Sequence, residues 1–339
     1  MPDKILALFS SDSRELYMAD AYRVLALPPG YSIQLRYRRK HIEGATLARI
    51  TTLRGRRGIV FFVSGNKPDS GLEMRLTSLR RFEVADVQKD SNIGTFNFYI
   101  KLGDFADAAP LHETAAALLP PAAFVSELSV QEGPNNAWLD RVNAVAGFFP
   151  NLTFFLINGI YHGQKPVPPF FNADTRASEF HLDEESRYEC RMTLHVPEVR
   201  PTGISTSNSS TVAQLNVPAN HRVGAQNDTA VFEIQTQALQ QRELACSTYL
   251  WDRCGEVGGK SEPEAWRIEL RWRVRRGRAK AVLFGGLMAA AATGVAIAKY
   301  AADKIAVTPS SAKDWGLAVV GAVVIGVCAG WLYEFFNKK

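Results

Sequence analysis

Two uncharged stretches near the C-terminus constrain this chain more than any other feature. Ala281 to Ala298 runs 18 residues without a charge, and Trp315 to Tyr333 runs 19. Each approaches the roughly 20 residues that carry a helix across about 30 Å of hydrocarbon. The connection, Lys299 to Asp314, is short and holds Pro309 and two serines. Neither stretch has the polar face that a helix of a soluble domain keeps toward water. The spacing therefore predicts a two-helix transmembrane hairpin over residues 277–339, with spans at about 281–300 and 315–335.

The flanks orient the hairpin. Arg267, Arg271, Arg273, Arg275, Arg276, Arg278 and Lys280 precede it and Lys338 and Lys339 follow, against Lys299, Lys304 and Lys313 in the connection. That bias places both termini in the cytoplasm, with two passes through the inner membrane. Trp315, Trp331 and Tyr333 fall near the ends of the second span, where amphipathic rings favour the headgroups. Arg271, Arg273, Arg275, Arg276, Arg278 and Lys280 form a juxtamembrane basic collar, each residue worth about 1 kcal/mol of attraction to anionic lipid. Because this run abuts a span, the lipid bilayer is the expected partner and nucleic acid is not. The short apolar start Ile5–Phe9 lacks the form of a secretory signal, so residues 1–280 are expected in the cytosol, with Cys190, Cys246 and Cys254 reduced. The sequons at Asn151, Asn208 and Asn227 are then chance matches.

Small residues recur every fourth position within the spans: Gly286, Ala290, Gly294 and Ala298 in the first, Ala318, Ala322, Gly326 and Gly330 in the second. Such seams let helix backbones approach closely. One closes the hairpin; two also permit association into a homo-oligomer. Ala and Gly are common in membrane spans and give such matches by chance, yet the pattern is expected to mark real contact on at least one seam. No charge lies centrally in either span, which argues against a proton relay.

The remainder reads as globular, with 46% apolar and 22% charged residues and no Cys-x-x-Cys pair among four cysteines. The net charge of +5 hides segregation: residues 1–60 carry +6, 61–110 carry −1, 111–265 carry −8 and 266–339 carry +8. Residues 1–110 predict a small mixed α/β domain. Lys4–Phe9 reads as a strand, and Asp12 with Glu15 as a capping box before a helix that Pro28-Pro29-Gly30 ends. Tyr31–Arg39 alternates as a half-buried strand, and further strands are expected at Gly58–Val63, Leu72–Thr77, Phe82–Gln88 and Thr95–Leu102. Residues 111–185 predict an irregular helical and linker segment. It has a helix at His112–Leu119, a helix capped by Asn136, a short apolar run at Leu152–Ile157, and an extended Pro-rich stretch at Lys165–Phe171. Residues 186–276 predict an antiparallel β-sandwich, with strands at Tyr188–Val196, Val212–Val217, Ala230–Thr236, Leu244–Trp251 and Ala265–Arg275. The fold class is thus α+β, mainly β, in front of the hairpin.

Catalytic motifs are absent. Gly259-Lys260-Ser261 has Cys254 where a P-loop needs its first glycine, and no zinc-protease helix or nucleophile elbow occurs. Ser64-Gly65-Asn66-Lys67 follows a strand as a phosphate-binding turn does, but an ordinary turn is the expectation. The six histidines lack ligand spacing, and Glu179, Asp183, Glu184, Glu185 and Glu189 read as a solvated acidic loop. No cofactor, metal site or enzymatic activity is expected. Arg36, Arg38, Arg39 and Lys40 form a basic patch that suits either a phosphate ligand or partner, or a plain solvated face.

A cytosolic β-rich module joined to a terminal two-span hairpin resembles bacterial defence effectors that damage the inner membrane when triggered. The resemblance covers domain order alone. It implies a protein whose cytosolic part senses a protein partner or small ligand, and whose hairpins oligomerise to permeabilise the membrane in antiphage defence. The alternatives are a membrane-anchored scaffold that holds a cytosolic partner, and an anchored enzyme with an unrecognised site.

Overall fold

The computed structural model describes residues 4–65, 74–90, 94–111, 123–133, 137–149, 152–197, 203–218, 221, 223, 227–252 and 266–276. The expected hairpin with its eight seam residues, Arg278, Lys280, Cys254, the His112–Leu119 helix and Asn136 lie outside the described residues. Among the described residues no helix is long and apolar enough to cross a membrane. They are mainly β, in several sheets. The chain divides into two compact units, residues 1–237 with 245–274, and residues 238–244 with 275–339.

The first unit opens with β1 (Ile5–Ser11), α1 (Glu15–Ala26), β2 (Ser32–Arg38), α2 (Gly44–Ala48), β3 (Arg57–Ser64), β4 (Arg75–Asp90) and β5 (Thr95–Phe105). Then follow β6 (Ala108–Pro110), β7 (Val125–Leu128), β8 (Val130–Glu132) and α3 (Trp138–Val145). Six of these strands form one sheet, in the order β2-β5-β4-β3-β1-β7, while β6 and β8 pair separately. Strands β1 and β3 are parallel, with Leu8 opposite Val60, and are buried almost throughout. Their unbroken apolar runs follow from cover on both faces. At the edge, β2 alternates buried Ile33, Leu35 and Tyr37 with exposed Gln34, Arg36 and Arg38, as its sequence pattern predicts. Strand β4 is one 16-residue strand where two were expected. Register shifts near Arg80 and Val84 break its alternation, so the pattern reads as two pieces. Gly58 is required on β3, because a Cβ there would overlap the Leu6 carbonyl oxygen and the Phe82 ring.

Helix α1 ends where Leu27 turns extended before Pro28 (φ −86°, ψ 151°). Its N-cap is Arg14, without a side-chain cap bond, so the expected capping box does not form. Asp12 instead accepts the Gly65 N–H at 2.7 Å. The protein's own carboxylate therefore holds the amide of the Ser64–Gly65 turn. At the other end of α1, fully buried Arg80 donates to the carbonyls of Val24 (2.9 Å), Leu27 (2.5 Å) and Gly103 (2.7 Å). A cation suits the negative end of the helix dipole. Burial pulls the Arg80 pKa down to about 9, which leaves it charged at neutral pH.

The sandwich is built from β9 (Phe154–His162), β10 (Lys165–Val167), β11 (Pro169–Asn172), β12 (Ala177–Asp183) and β13 (Arg187–His195). It continues with β14 (Ile204–Asn208), β15 (Ala213–Asn216), β16 (Asn227–Thr236), β17 (Glu243–Asp252) and β18 (Ile268–Arg275). Two five-stranded sheets result, ordered β10-β9-β13-β16-β15 and β11-β12-β18-β17-β14. Each buries alternate residues: Tyr188, Cys190, Met192 and Leu194 on β13, and Ile268, Leu270, Trp272 and Val274 on β18. This is the β-sandwich-like unit, but it begins at Phe154 rather than near residue 186. Residues 111–185, expected to be irregular, supply β7 to the first sheet and β9 to β12 to the sandwich. The Pro-rich stretch is the crossover between the sandwich sheets: β10 and β11 are edge strands of different sheets, where proline costs no ladder bond. Cys190 and Cys246 are free thiols, and burial pushes them up to about 12 and about 11.

The α/β sheet and the sandwich share a core. Tyr22 of α1 lies 5.6–5.9 Å from the rings of Phe154, Phe155 and Trp266, and its hydroxyl donates to the Thr153 carbonyl at 2.7 Å. Tyr31 packs on Phe180 at 5.7 Å, the Ser32 N–H donates to Ser178 Oγ at 2.7 Å, and Trp266 Nε1 donates to Glu15 at 3.1 Å. In the second unit, Arg276 N donates to the Arg242 carbonyl at 3.3 Å, and Arg275 lies 3.9 Å from Glu243.

Candidate functional site

Beside this shared core the two β-rich parts leave a cleft of about 650 Å³, within the roughly 300–1,000 Å³ of small-molecule sites. One wall is the polar face of α1, where Leu16, Asp20 and Arg23 recur at helical spacing, with Gln34 and Arg36 of β2 and Tyr99 of β5 beside it. The other wall is Arg176 from the turn before β12, Tyr249 of β17, and Arg267, Glu269 and Arg271 leading into and along β18. The alternation of β18 explains that wall. Its even-numbered apolar residues fill the sandwich, so its odd-numbered charged residues face outward.

Five arginines meet two carboxylates in the cleft. Arg23 bonds Asp20 at 3.0 Å, and Arg271 bonds Glu269 at 2.9 Å. Arg176 bonds Asp86 at 3.0 Å from a left-handed backbone (φ 50°), a conformation uncommon outside glycine, asparagine and aspartate. Arg267 lies over the rings of Tyr249 at 4.8 Å and Trp251 at 5.5 Å. Arg36 makes no ion pair among the described residues. Burial raises the Asp20 carboxyl to about 6, with Arg23 and Arg36 opposing the rise. Burial works against the Arg271 charge, yet the bond to Glu269, its negative charge, Tyr31 and Tyr249 together outweigh it and raise its pKa. The buried Tyr31 hydroxyl, held neutral by desolvation, accepts from Arg271 N and donates to the Glu269 carbonyl, each at 3.3 Å. The floor of the cleft is thereby tied to the backbone of β18.

The basic residues singled out in the sequence are redistributed. Arg36 of the N-terminal patch and Arg271 of the collar share the cleft. Arg38, Arg39 and Lys40 continue past it as an exposed positive edge. There partial burial, then Lys40, Arg38 and Arg14, hold His41 below its ordinary pKa. Arg273 bonds the buried Glu179 at 2.5 Å. Burial alone raises Glu179, but its bonds from Arg273, His181 and Asn172 outweigh that and hold it below the usual carboxylate range. Arg276 donates to the Gln240 carbonyl at 3.4 Å. The acidic loop is likewise not simply solvated: Glu179 and Glu184 are buried, and Glu189 pairs with Arg191 at 2.8 Å. The sequence does not single out Asp20, Arg23 and Arg176. The one available signal is the Asp20–Arg23 spacing on the polar side of α1.

The cleft juxtaposes guanidinium groups and tyrosines, and among the described residues no group of three or more His, Cys, Asp or Glu is arranged to hold a metal. No family model matches the chain, and no curated protein resembles it in sequence.

Proposed function

We propose that this protein is a membrane-anchored effector, with the arginine-lined cleft as its input and the C-terminal hairpin as its output. One observation carries the reading. Arg267, Glu269 and Arg271 line the cleft, and the first uncharged stretch begins at Ala281, ten residues further along the chain. A ligand that re-pairs Glu269 and Arg271 acts on the strand that leads to the hairpin. Oligomerisation through the small-residue seams would then permeabilise the inner membrane, as in antiphage defence. Expression of the full chain, with dye leakage from vesicles bearing the purified protein, tests this. Growth arrest and leakage that disappear on deleting residues 281–339 are expected. Full activity after that deletion overturns the reading.

The exposed edge of Arg38, Arg39 and Lys40 favours a second reading, a scaffold that holds an acidic cytosolic partner at the membrane. Exchange of the hairpin for an unrelated two-span anchor separates the two. A scaffold keeps its function; an effector loses it, and Gly286→Leu with Gly326→Leu weakens it.

A further inference from the structure

We propose that the cleft binds a small phosphorylated ligand carrying at least two negative charges, gripped between Arg36 on one wall and Arg267 and Arg271 on the other. This deepens the reading of the cleft as the input of the effector and names the class of its ligand. Guanidinium groups converge on the space from the consecutive α1 and β2, from the turn before β12 and from the approach to and start of β18, three regions far apart in sequence. Arginine's planar fork matches phosphate oxygens with paired, charge-assisted hydrogen bonds, and it keeps its charge when partly buried.

The internal carboxylates do not satisfy this set. Asp20 and Glu269 are the two acidic groups in the lining, each already bonded to one arginine, and Arg176 pairs with Asp86 just outside it, whereas Arg36 has no ion-pair partner among the described residues. The Arg271–Glu269 bond is partly solvent-exposed, with 43% and 32% of the two side chains accessible. Exposed pairs of this kind are weakly held and exchange readily for a ligand oxygen. A singly charged ligand engages one wall at a time. A ligand with two or more charges engages both walls at once, and the volume is ample for phosphates with an attached organic group. Tyr99 in the lining offers that group a ring face.

The test is isothermal titration of the purified full chain in detergent micelles with inorganic pyrophosphate, ATP and adenosine. Pyrophosphate and ATP are expected to bind, adenosine is not, and affinity falls steeply as salt rises. ATP tighter than pyrophosphate assigns the ligand to nucleotides; equal affinities assign it to simpler phosphates. Arg36→Glu should weaken binding at least tenfold, Arg36→Lys should restore part of it, and Arg38→Glu, beyond the cleft, should leave it unchanged. Arg36 is exposed on an edge strand, so these variants fold, and an unchanged thermal midpoint checks this. Silence of both pyrophosphate and ATP at millimolar concentration overturns the proposal. So does adenosine binding as tightly as ATP, or full affinity in Arg36→Glu. Binding is read without any membrane activity, so its failure leaves the effector reading standing. Lost leakage with intact binding sinks that reading alone.

Discussion

At the scale of single residues, the cleft keeps a carboxyl that works against the fold. The Asp20 pKa is raised to about 6 by burial, whereas an unfolded chain leaves it near 3.8. A raised carboxyl contributes stability below its unfolded pKa and loses it as pH climbs through the folded value. Ionised Asp20 therefore costs up to about 3 kcal/mol at pH 7.5. Asp20→Asn should stabilise the protein by about 1–2 kcal/mol at pH 7.5, with the gain vanishing below pH 4. Urea titrations at the two pH values check this; a variant no more stable than the parent at pH 7.5 refutes it. A group that lowers stability in a ligand-sized cleft is the kind of local inconsistency that marks functional sites.

At the scale of elements, two close approaches organise the α/β sheet. Arg80 closes the C-terminal end of α1 through the Val24 and Leu27 carbonyls and ties it to the Gly103 carbonyl of β5, and Gly58 lets β3 lie against Leu6 and Phe82. Gly58→Ala forces a Cβ into backbone as well as ring, so its cost should reach the upper end of the roughly 1–3 kcal/mol typical of overpacking. A drop of the denaturation midpoint by less than the error of measurement would count against this packing. Elements also show where sequence patterns are legible. β2 and β18 each bury an apolar face and carry polar or charged residues on the other, so period-two alternation marks them plainly. β4 conceals its length behind two register shifts, and β9 hides its pattern at a bulge opposite Arg191 and Met192. Strands β10 and β11 span only three and four residues, too few to show a period. The irregular pairing of β4 and β9 is decided by the neighbouring strand, which a local window does not contain.

At the scale of the whole molecule, the α/β sheet and the sandwich fold as one unit because α1 is packed from both sides. Tyr22 is 1% exposed and touches three rings that belong to or border the sandwich. Tyr22→Ala should cost about 3–5 kcal/mol and lower protection in both parts together. Hydrogen exchange of β3 and β13 checks it, and loss confined to one of them argues for independent domains. The same packing creates the cleft, so the site exists only where the two parts meet.

The sequence by itself determined the properties that depend on local order. These are the two uncharged C-terminal stretches with their basic flank, the alternation of β2 and β18, the stop at Pro28, and the β-rich character of the rest. Tertiary structure alone decided that Arg36 and Arg271, more than 200 residues apart, line one cleft with Asp20, while Arg273 turns to Glu179. The physical reason lies in range. Hydrophobic periodicity records which side of an element meets the core, whereas an ion pair or a cleft depends on which other element arrives there.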